Sequence, residues 1–317
     1  MIRTQILGDY EKMFQPILLL VLLIALITGL GFYSDVFLTG RNWLNILNNH
    51  MAHQLILAVG MTFVICTGGI DLAASSILAL SGIIMAMLAN SGMPLCLSIV
   101  FALFASLLMG TLNGLLVSSF TINPLIITLG TASLFRGLAV IITGGMPIYG
   151  LPRQFHEFAM GSFFIPIPII MAGLILLAAL IILRMTKWGL YSMVIGSNST
   201  ALTRLGVNVK LYKTSVYALS GLMAGTAMLI ITSRLNTAEA TAGIGMEMTA
   251  IAAVIMGGTL LSGGKGSMTG TAIACLLLAV IKNGLTLLSI DAQYQEFIIG
   301  FLLLLAVITT ELKNQRN

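Results

Sequence analysis

Charge is what this sequence has least of. Asp, Glu, Lys and Arg make up 8% of the 317 residues, and only 10 residues are acidic. Water-soluble domains are about one quarter charged, so the 58% hydrophobic content points to lipid as solvent rather than to a large aqueous core. Cysteine is sparse as well. Cys66, Cys96 and Cys275 are scattered through apolar runs, and an odd number without ligand spacing argues against a disulfide framework or a zinc site. His50 and His53 lie three residues apart on one helical face, with too few ligands nearby to hold a metal. Paired carboxylates within one apolar run are absent, which leaves hydrolysis without its acid and base. A membrane sugar transferase would need an acidic cluster for metal and diphosphate, and none is present. No Gly-x-x-x-x-Gly-Lys-Ser/Thr loop occurs; Gly263-Gly264-Lys265-Gly266-Ser267 has neither its spacing nor a preceding strand. The chain is thus assigned no catalytic, cofactor-binding or metal-binding residue. Its net charge of +5 is accounted for by loops and gives no reason to invoke nucleic acid.

What is present is a series of apolar runs. They read as spans at 16–33, 46–66, 72–89, 95–120, 124–143, 165–183, 214–232, 248–261, 269–288 and 296–310. The first is about span length, longer than the apolar core of a cleaved signal peptide. Between the sixth and seventh lies the longest polar interruption, 184–213. It carries Arg184, Lys187, Arg204, Lys210 and Lys213 and no acidic residue. Such loops stay in the cytoplasm. The loops 144–164 and 234–247, less basic, fall outside. Six spans before the basic loop and four after it place both termini in the cytoplasm, with residues 1–15 and Glu311, Lys313 and Arg316 as tails. The expected fold is all-α: one polytopic membrane domain over 1–317, of about ten transmembrane helices with broken or re-entrant segments.

Two glycine-rich breaks stand out. Thr67 to Ser76 reads TGGIDLAASS, and 256–270 reads MGGTLLSGGKGSMTG. Irregular backbone at membrane depth is tolerated only against protein or a watery cavity. A carboxylate there costs roughly 2.5–3.5 kcal/mol on insertion scales. Asp71 is therefore expected to line or shape a polar pathway with Gly68 and Gly69, to cap the helix starting at Leu72, or both. Gly110 and Gly114 allow close helix approach, and Asn113 between them needs a partner inside the bundle. Arg136, about mid-span, also needs a partner. Asn283-Gly284 echoes Asn113-Gly114, and GGTLL at 257 echoes GGIDL at 68. Paired halves of this kind often flank a transport site, which adds Asn283 to the candidate pathway.

Within 184–213 there is a short helix signal. Asn198 or Ser199 caps it, Ala201 to Leu205 forms it, Arg204 suits its C-terminal dipole, and Gly206 ends it in a left-handed conformation. Ala201, Leu202 and Leu205 offer small apolar knobs. Both a docking helix for a cytoplasmic partner and a helix lying among lipid headgroups fit this composition.

Several segments in order resemble the integral-membrane permeases of bacterial ABC sugar importers, the ribose-permease family. They are GMTFVICTGGIDL (60–72), NPLIITLGTASLFRG (123–137), TGGMPIYGLP (143–152), WGLYSMVIGSN (188–198) and GIGMEMTAIAAVIMGGTLLSGGKGSMTGT (243–271), with Asn-Gly at 113–114 and 283–284. The resemblance implies one permease subunit in a bacterial inner membrane, surrounded by lipid and paired with a second copy or a related chain. It implies a separate cytoplasmic ATPase that carries the ATP, and a periplasmic or lipid-anchored protein that delivers the sugar. Gly196, Asn198, Ala201, Leu202, Arg204, Leu205 and Gly206 fall on the family's segment for ATPase coupling. Departures are Ala73-Ala74-Ser75-Ser76 where Ser-Val-Gly-Ser is usual, Ser197 where Gly is common, and Leu202-Thr203-Arg204 where Ala-Arg-Leu is common. A small pentose such as ribose is the expected solute. A self-contained secondary carrier is the alternative, and it would rest its ion coupling on Asp71 alone.

Overall fold

The computed structural model describes residues 2–160, 162–163, 165–291, 293–295, 297–298, 300–301 and 304. In chain order these form α1 (Ile2–Tyr33), α2 (Gly40–Asn45), a π-helical turn (Ile46–Met51), α3 (Ala52–Cys66), α4 (Ala74–Asn90), α5 (Leu95–Ser119), α6 (Pro124–Thr143) and α7 (Arg153–Met160). A two-residue hairpin follows, β1 (Ser162–Phe163) against β2 (Ile165–Pro166), and then α8 (Ile167–Met185), α9 (Lys187–Arg204), α10 (Val209–Leu235), α11 (Met246–Met256) and α12 (Met268–Leu287). Apolar segments leave the backbone no hydrogen-bond partner in lipid but itself, which is why these runs are helices. Among the described residues, six are long and apolar enough to cross a membrane: the continuous Gly40–Cys66, α5, α6, α8, α10 and α12. Ile17–Tyr33, α4 and α11 are shorter apolar helices. The chain is a multi-pass membrane protein.

Several boundaries differ from those read in the sequence. Residues 2–15 are not a separate tail but the start of α1, so Pro16 lies inside a helix rather than at its first position. Glu11, Lys12, Met13 and Gln15 are strong helix formers, and polarity alone does not end a helix. The second span starts at Gly40, where Thr39 accepts from the Asn42 amide. The loop 144–164 contains α7. The basic stretch 184–213 is mostly helix: Thr186 caps α9 through the Gly189 amide, Asn208 caps α10 through the Leu211 amide, and only a short turn separates them. The span read at 296–310 lies outside the described residues except for Phe297, Ile298, Gly300, Phe301 and Leu304, and the tail 311–317 lies wholly outside them.

The bundle is built around α3 and α10. Nearly every residue of α3 is buried, and α10 packs along both α5 and α3. α5, α6 and α8 turn most of their surface outward. The α5–α10 contact is made by facing glycine pairs, Gly110 and Gly114 on one side and Gly221 and Gly225 on the other. A Cβ built on Gly221 would lie 2.8 Å from Gly110 Cα, and one on Gly114 would lie 2.6 Å from Thr214 Cα. Removing side chains at every fourth residue lets two backbones touch where lipid offers no hydrophobic drive.

Candidate functional site

α3 ends at the first glycine pair. The Gly68 amide donates to Ile65 O (2.9 Å) and the Gly69 amide to Val64 O (3.2 Å), with Gly68 at φ +75°. This is the paired 5→2 and 6→1 bonding that closes a helix with a left-handed residue. α11 ends in the same way: Gly258 donates to Ile255 O (2.9 Å) and Thr259 to Val254 O (3.2 Å), with Gly258 at φ +93°. The echo between the breaks is therefore real in the backbone, with a register one residue removed from the glycine-to-glycine match, so that Gly68 corresponds to Gly258. The Asn-Gly echo does not carry over. Asn113 lies on α5, one helix beyond α4, whereas Asn283 lies on α12, directly after the second break.

Beyond the first break, Ile70 and Asp71 run without helical structure before α4 begins at Ala74, two residues later than predicted. Three helices close around them. Tyr217 on α10 and Thr128 on α6 both donate to Ile70 O, at 3.3 and 3.1 Å. Asp71 is fully buried. Its Oδ1 accepts from the Ala73 amide (3.1 Å) and from Asn113 Nδ2 on α5 (3.5 Å), while Oδ2 accepts from Ser220 on α10 (2.8 Å). Asp71 thus caps the turn ahead of α4 and also joins α5 to α10. Its partners sit beside the facing glycines: Asn113 precedes Gly114, and Ser220 precedes Gly221. A Cβ on Gly69 would collide with the Tyr217 hydroxyl.

The break lies at the end of a span. The continuous helix Gly40–Cys66 has 27 residues, about 40 Å at ~1.5 Å per residue, longer than the ~30 Å apolar core of a bilayer. α11, with 11 residues, reaches only about 16 Å and is half a span.

Of the pathway candidates, Gly68, Gly69, Asp71 and Asn113 come together. Asn283 stands apart: it exchanges two amide hydrogen bonds with Asn42 of α2, both 3.0 Å and both buried. Arg136 finds its partners at the turn before α11. It donates to Ala240 O, to Ala242 O (3.0 Å) and to Ser75 on α4 (3.2 Å). That turn also pairs Ala238 with Ile148 through two backbone bonds, 2.8 and 3.0 Å. Sequence reading missed Ser220, Tyr217 and Thr128. The one signal available was Ser220 directly before Gly221-x-x-x-Gly225, the counterpart of Asn113 within Gly110-x-x-x-Gly114.

The coupling candidates lie on the second half of α9 and the turn that ends it. The helix is interrupted at Asn198 (φ −159°, ψ 82°). Asn198 Oδ1 accepts from the Ala201 amide (3.0 Å) and the Thr200 hydroxyl (2.7 Å), so it caps a short helix running to Arg204. Gly206 at φ +77° ends it, with its amide on Thr203 O (3.0 Å) and that of Val207 on Leu202 O (3.1 Å). Leu202, read as an apolar knob of the docking face, is buried. Leu205 is 79% exposed, and Asn198, Arg204 and Gly206 are exposed beside it. Gly196, just before the interruption, touches the other two glycine segments: a Cβ there would collide with Cys66 O and the Gly264 amide nitrogen.

Comparison with known proteins places the chain in a family. The family model described as branched-chain amino acid transport system / permease component matches residues 44–307. The ribose import permease protein RbsC of Bacillus subtilis (strain 168) is 39% identical over 94% of this chain and 92% of its own. RbsC of Escherichia coli (strain K12) is 37% identical over 93% of both. The D-allose transport system permease protein AlsC of Escherichia coli (strain K12) is 34% identical over 91% of this chain and 88% of its own. No solved structure matches. The chain belongs to this family of transport-system permease components, among the integral-membrane permeases of ABC sugar importers.

Proposed function

We propose that this chain is the translocation subunit of an ATP-driven importer for a small sugar, ribose or a similar pentose. It lies in the inner membrane of a bacterium as one permease domain of about ten spans with both termini in the cytoplasm. It works with a second copy or a related permease chain, a cytoplasmic ATPase and an external sugar-binding protein. It holds no cofactor itself, and ATP binds on the ATPase.

The observation that carries this reading is the short helix from Ser199 to Arg204. It is closed at both ends by its own residues, anchored inward by Leu202, and presents Arg204 and Leu205 to solvent in the most basic stretch of the chain. A headgroup-layer helix needs a continuous apolar stripe, and here the one apolar residue besides Leu205 and the half-buried Ala201 is turned inward. In this reading Asn198, Arg204, Leu205 and Gly206 meet the ATPase while Gly196, Ala201 and Leu202 hold the segment to the bundle. Gly68, Gly69, Asp71 and Asn113 shape the pathway by fixing the break, since both Asp71 oxygens are already held by protein donors. Asn283 fixes α12 against α2 in the same way.

Co-purification tests it. The chain co-expressed with its ATPase and binding protein retains the ATPase in detergent, and deletion of 197–206 releases it while the permease remains monodisperse. An ATPase retained equally by both forms contradicts the proposed docking element.

A further inference from the structure

Three stretches remote in sequence meet backbone to backbone: Cys66–Gly68 at the end of α3, Gly196–Ser197 on α9, and Gly263–Gly264 between α11 and α12. The Gly264 amide donates to Cys66 O at 3.0 Å. A Cβ on Gly263 would lie 2.7 Å from Gly68 N and 2.9 Å from Gly196 Cα, and one on Gly264 would lie 2.9 Å from Ser197 Cβ. Gly68, Gly263 and Gly264 all have positive φ. Around Gly68, Gly196 and Gly263 the nearest atoms are all backbone, and at Gly264 the nearest is the short Ser197 side chain; little is there to absorb a relative displacement, and close-packed protein transmits strain rather than damping it.

We propose that this glycine junction is the joint through which the short docking helix drives the bundle. The helix from Ser199 to Arg204 is joined to Gly196 through only Ser197 and the non-helical Asn198, so a displacement of the helix pulls on Gly196 and Ser197. A shift of Gly196 and Ser197 must then move Gly68, three residues before Asp71, and Gly263–Gly264, which lead into α12. One contact thus reaches both breaks at once. Gly68, Gly196, Gly263 and Gly264 are positioning residues: they touch no solute and set the geometry of the residues that follow.

The inference rests on the docking helix being where the ATPase binds. The test is sugar taken up per ATP hydrolysed, measured in proteoliposomes with the whole importer. Gly264→Ala should keep the ATPase bound and hydrolysing while the uptake ratio falls about tenfold, within the usual range of coupling between two sites. Ser197→Gly removes the nearest atom that the new Cβ meets, so Ser197→Gly/Gly264→Ala should recover most of the ratio, although the left-handed strain at 264 and the backbone of residue 197 at 3.3 Å remain. Gly173→Ala, with nothing within 4 Å of its Cβ, should leave the ratio unchanged. If Gly264→Ala does not accumulate, Ser197→Val at an exposed position presses on the same contact from the other side and should lower the ratio alike. An unchanged ratio in whichever of the two assembles, or a loss in Gly264→Ala that Ser197→Gly does not relieve, overturns the joint. A wild-type chain that binds no ATPase at all would instead overturn the docking reading.

Discussion

Ser220 donates to Asp71 at 2.8 Å across 149 residues of sequence, and this bond ties α10 to the break after α3. Its removal should be felt as stability. Ser220→Ala leaves one oxygen of a fully buried carboxyl without its donor, at about 1–3 kcal/mol. Asp71→Asn keeps an oxygen for the Ala73 amide and an amide for the Ser220 hydroxyl, whereas Asp71→Leu orphans all three donors. Thermal stability in detergent should rank wild type, then Asp71→Asn and Ser220→Ala, then Asp71→Leu. Equal stability of Asp71→Leu and wild type would show that these bonds do not hold the break.

The facing glycines of α5 and α10 make a sharper contrast. Gly114→Ala would place its Cβ 2.6 Å from Thr214 Cα, a backbone atom that cannot rotate away. Overpacking of this kind costs about 1–3 kcal/mol. Gly130→Ala, with open space around it, should gain up to about 1 kcal/mol from helix propensity. Size-exclusion profiles after heating separate the two, and similar behaviour would refute backbone contact at Gly114.

How far these features were legible depends on the distance between partners. The cap at Asn198 or Ser199 and the ending at Gly206 are local, set by residues two to four positions apart, and the sequence alone carried them; the structure selects Asn198. The positions of the breaks followed from their glycine pairs in the same way. Leu202 could not be placed, because which face of a one-turn helix meets the bundle depends on α9 as a whole. Ser220, Tyr217 and Thr128 are ordinary residues inside apolar runs, and only the crossing of α5, α6 and α10 gives them Ile70 and Asp71 as partners. Asp71 was expected on a pathway because a carboxylate in an apolar sequence invites that reading. The capping half of the expectation is met by the Ala73 amide, and what the sequence could not supply is that Asn113 and Ser220 also make Asp71 a tie between helices.

Arg136 should govern the turn before α11. Its guanidinium reaches Ala240 O, Ala242 O and Ser75 together, and a lysine is a point charge that cannot span three acceptors. Arg136→Lys and Arg136→Leu should both speed hydrogen exchange over 238–245, the leucine variant more. Exchange unchanged in Arg136→Leu would mean that the Ile148–Ala238 pairing holds the turn alone.

Asn198→Ala should loosen the short helix without unfolding the bundle. It removes the acceptor for the Ala201 amide and the Thr200 hydroxyl, and loss of such a cap costs about 0.5–2 kcal/mol. Amides from Ala201 to Leu205 should then exchange about two- to thirtyfold faster, since 1.4 kcal/mol is a factor of ten. Protection matching wild type would remove Asn198 as the cap.

The central claim, that transport is driven from the basic stretch by a separate ATPase, is tested most directly by labelled ribose uptake into proteoliposomes. Accumulation should require the permease, ATPase, binding protein and ATP together, and a proton or sodium gradient across vesicles holding the permease alone should produce none. Gradient-driven accumulation by the permease alone would contradict the account and make it a self-contained carrier.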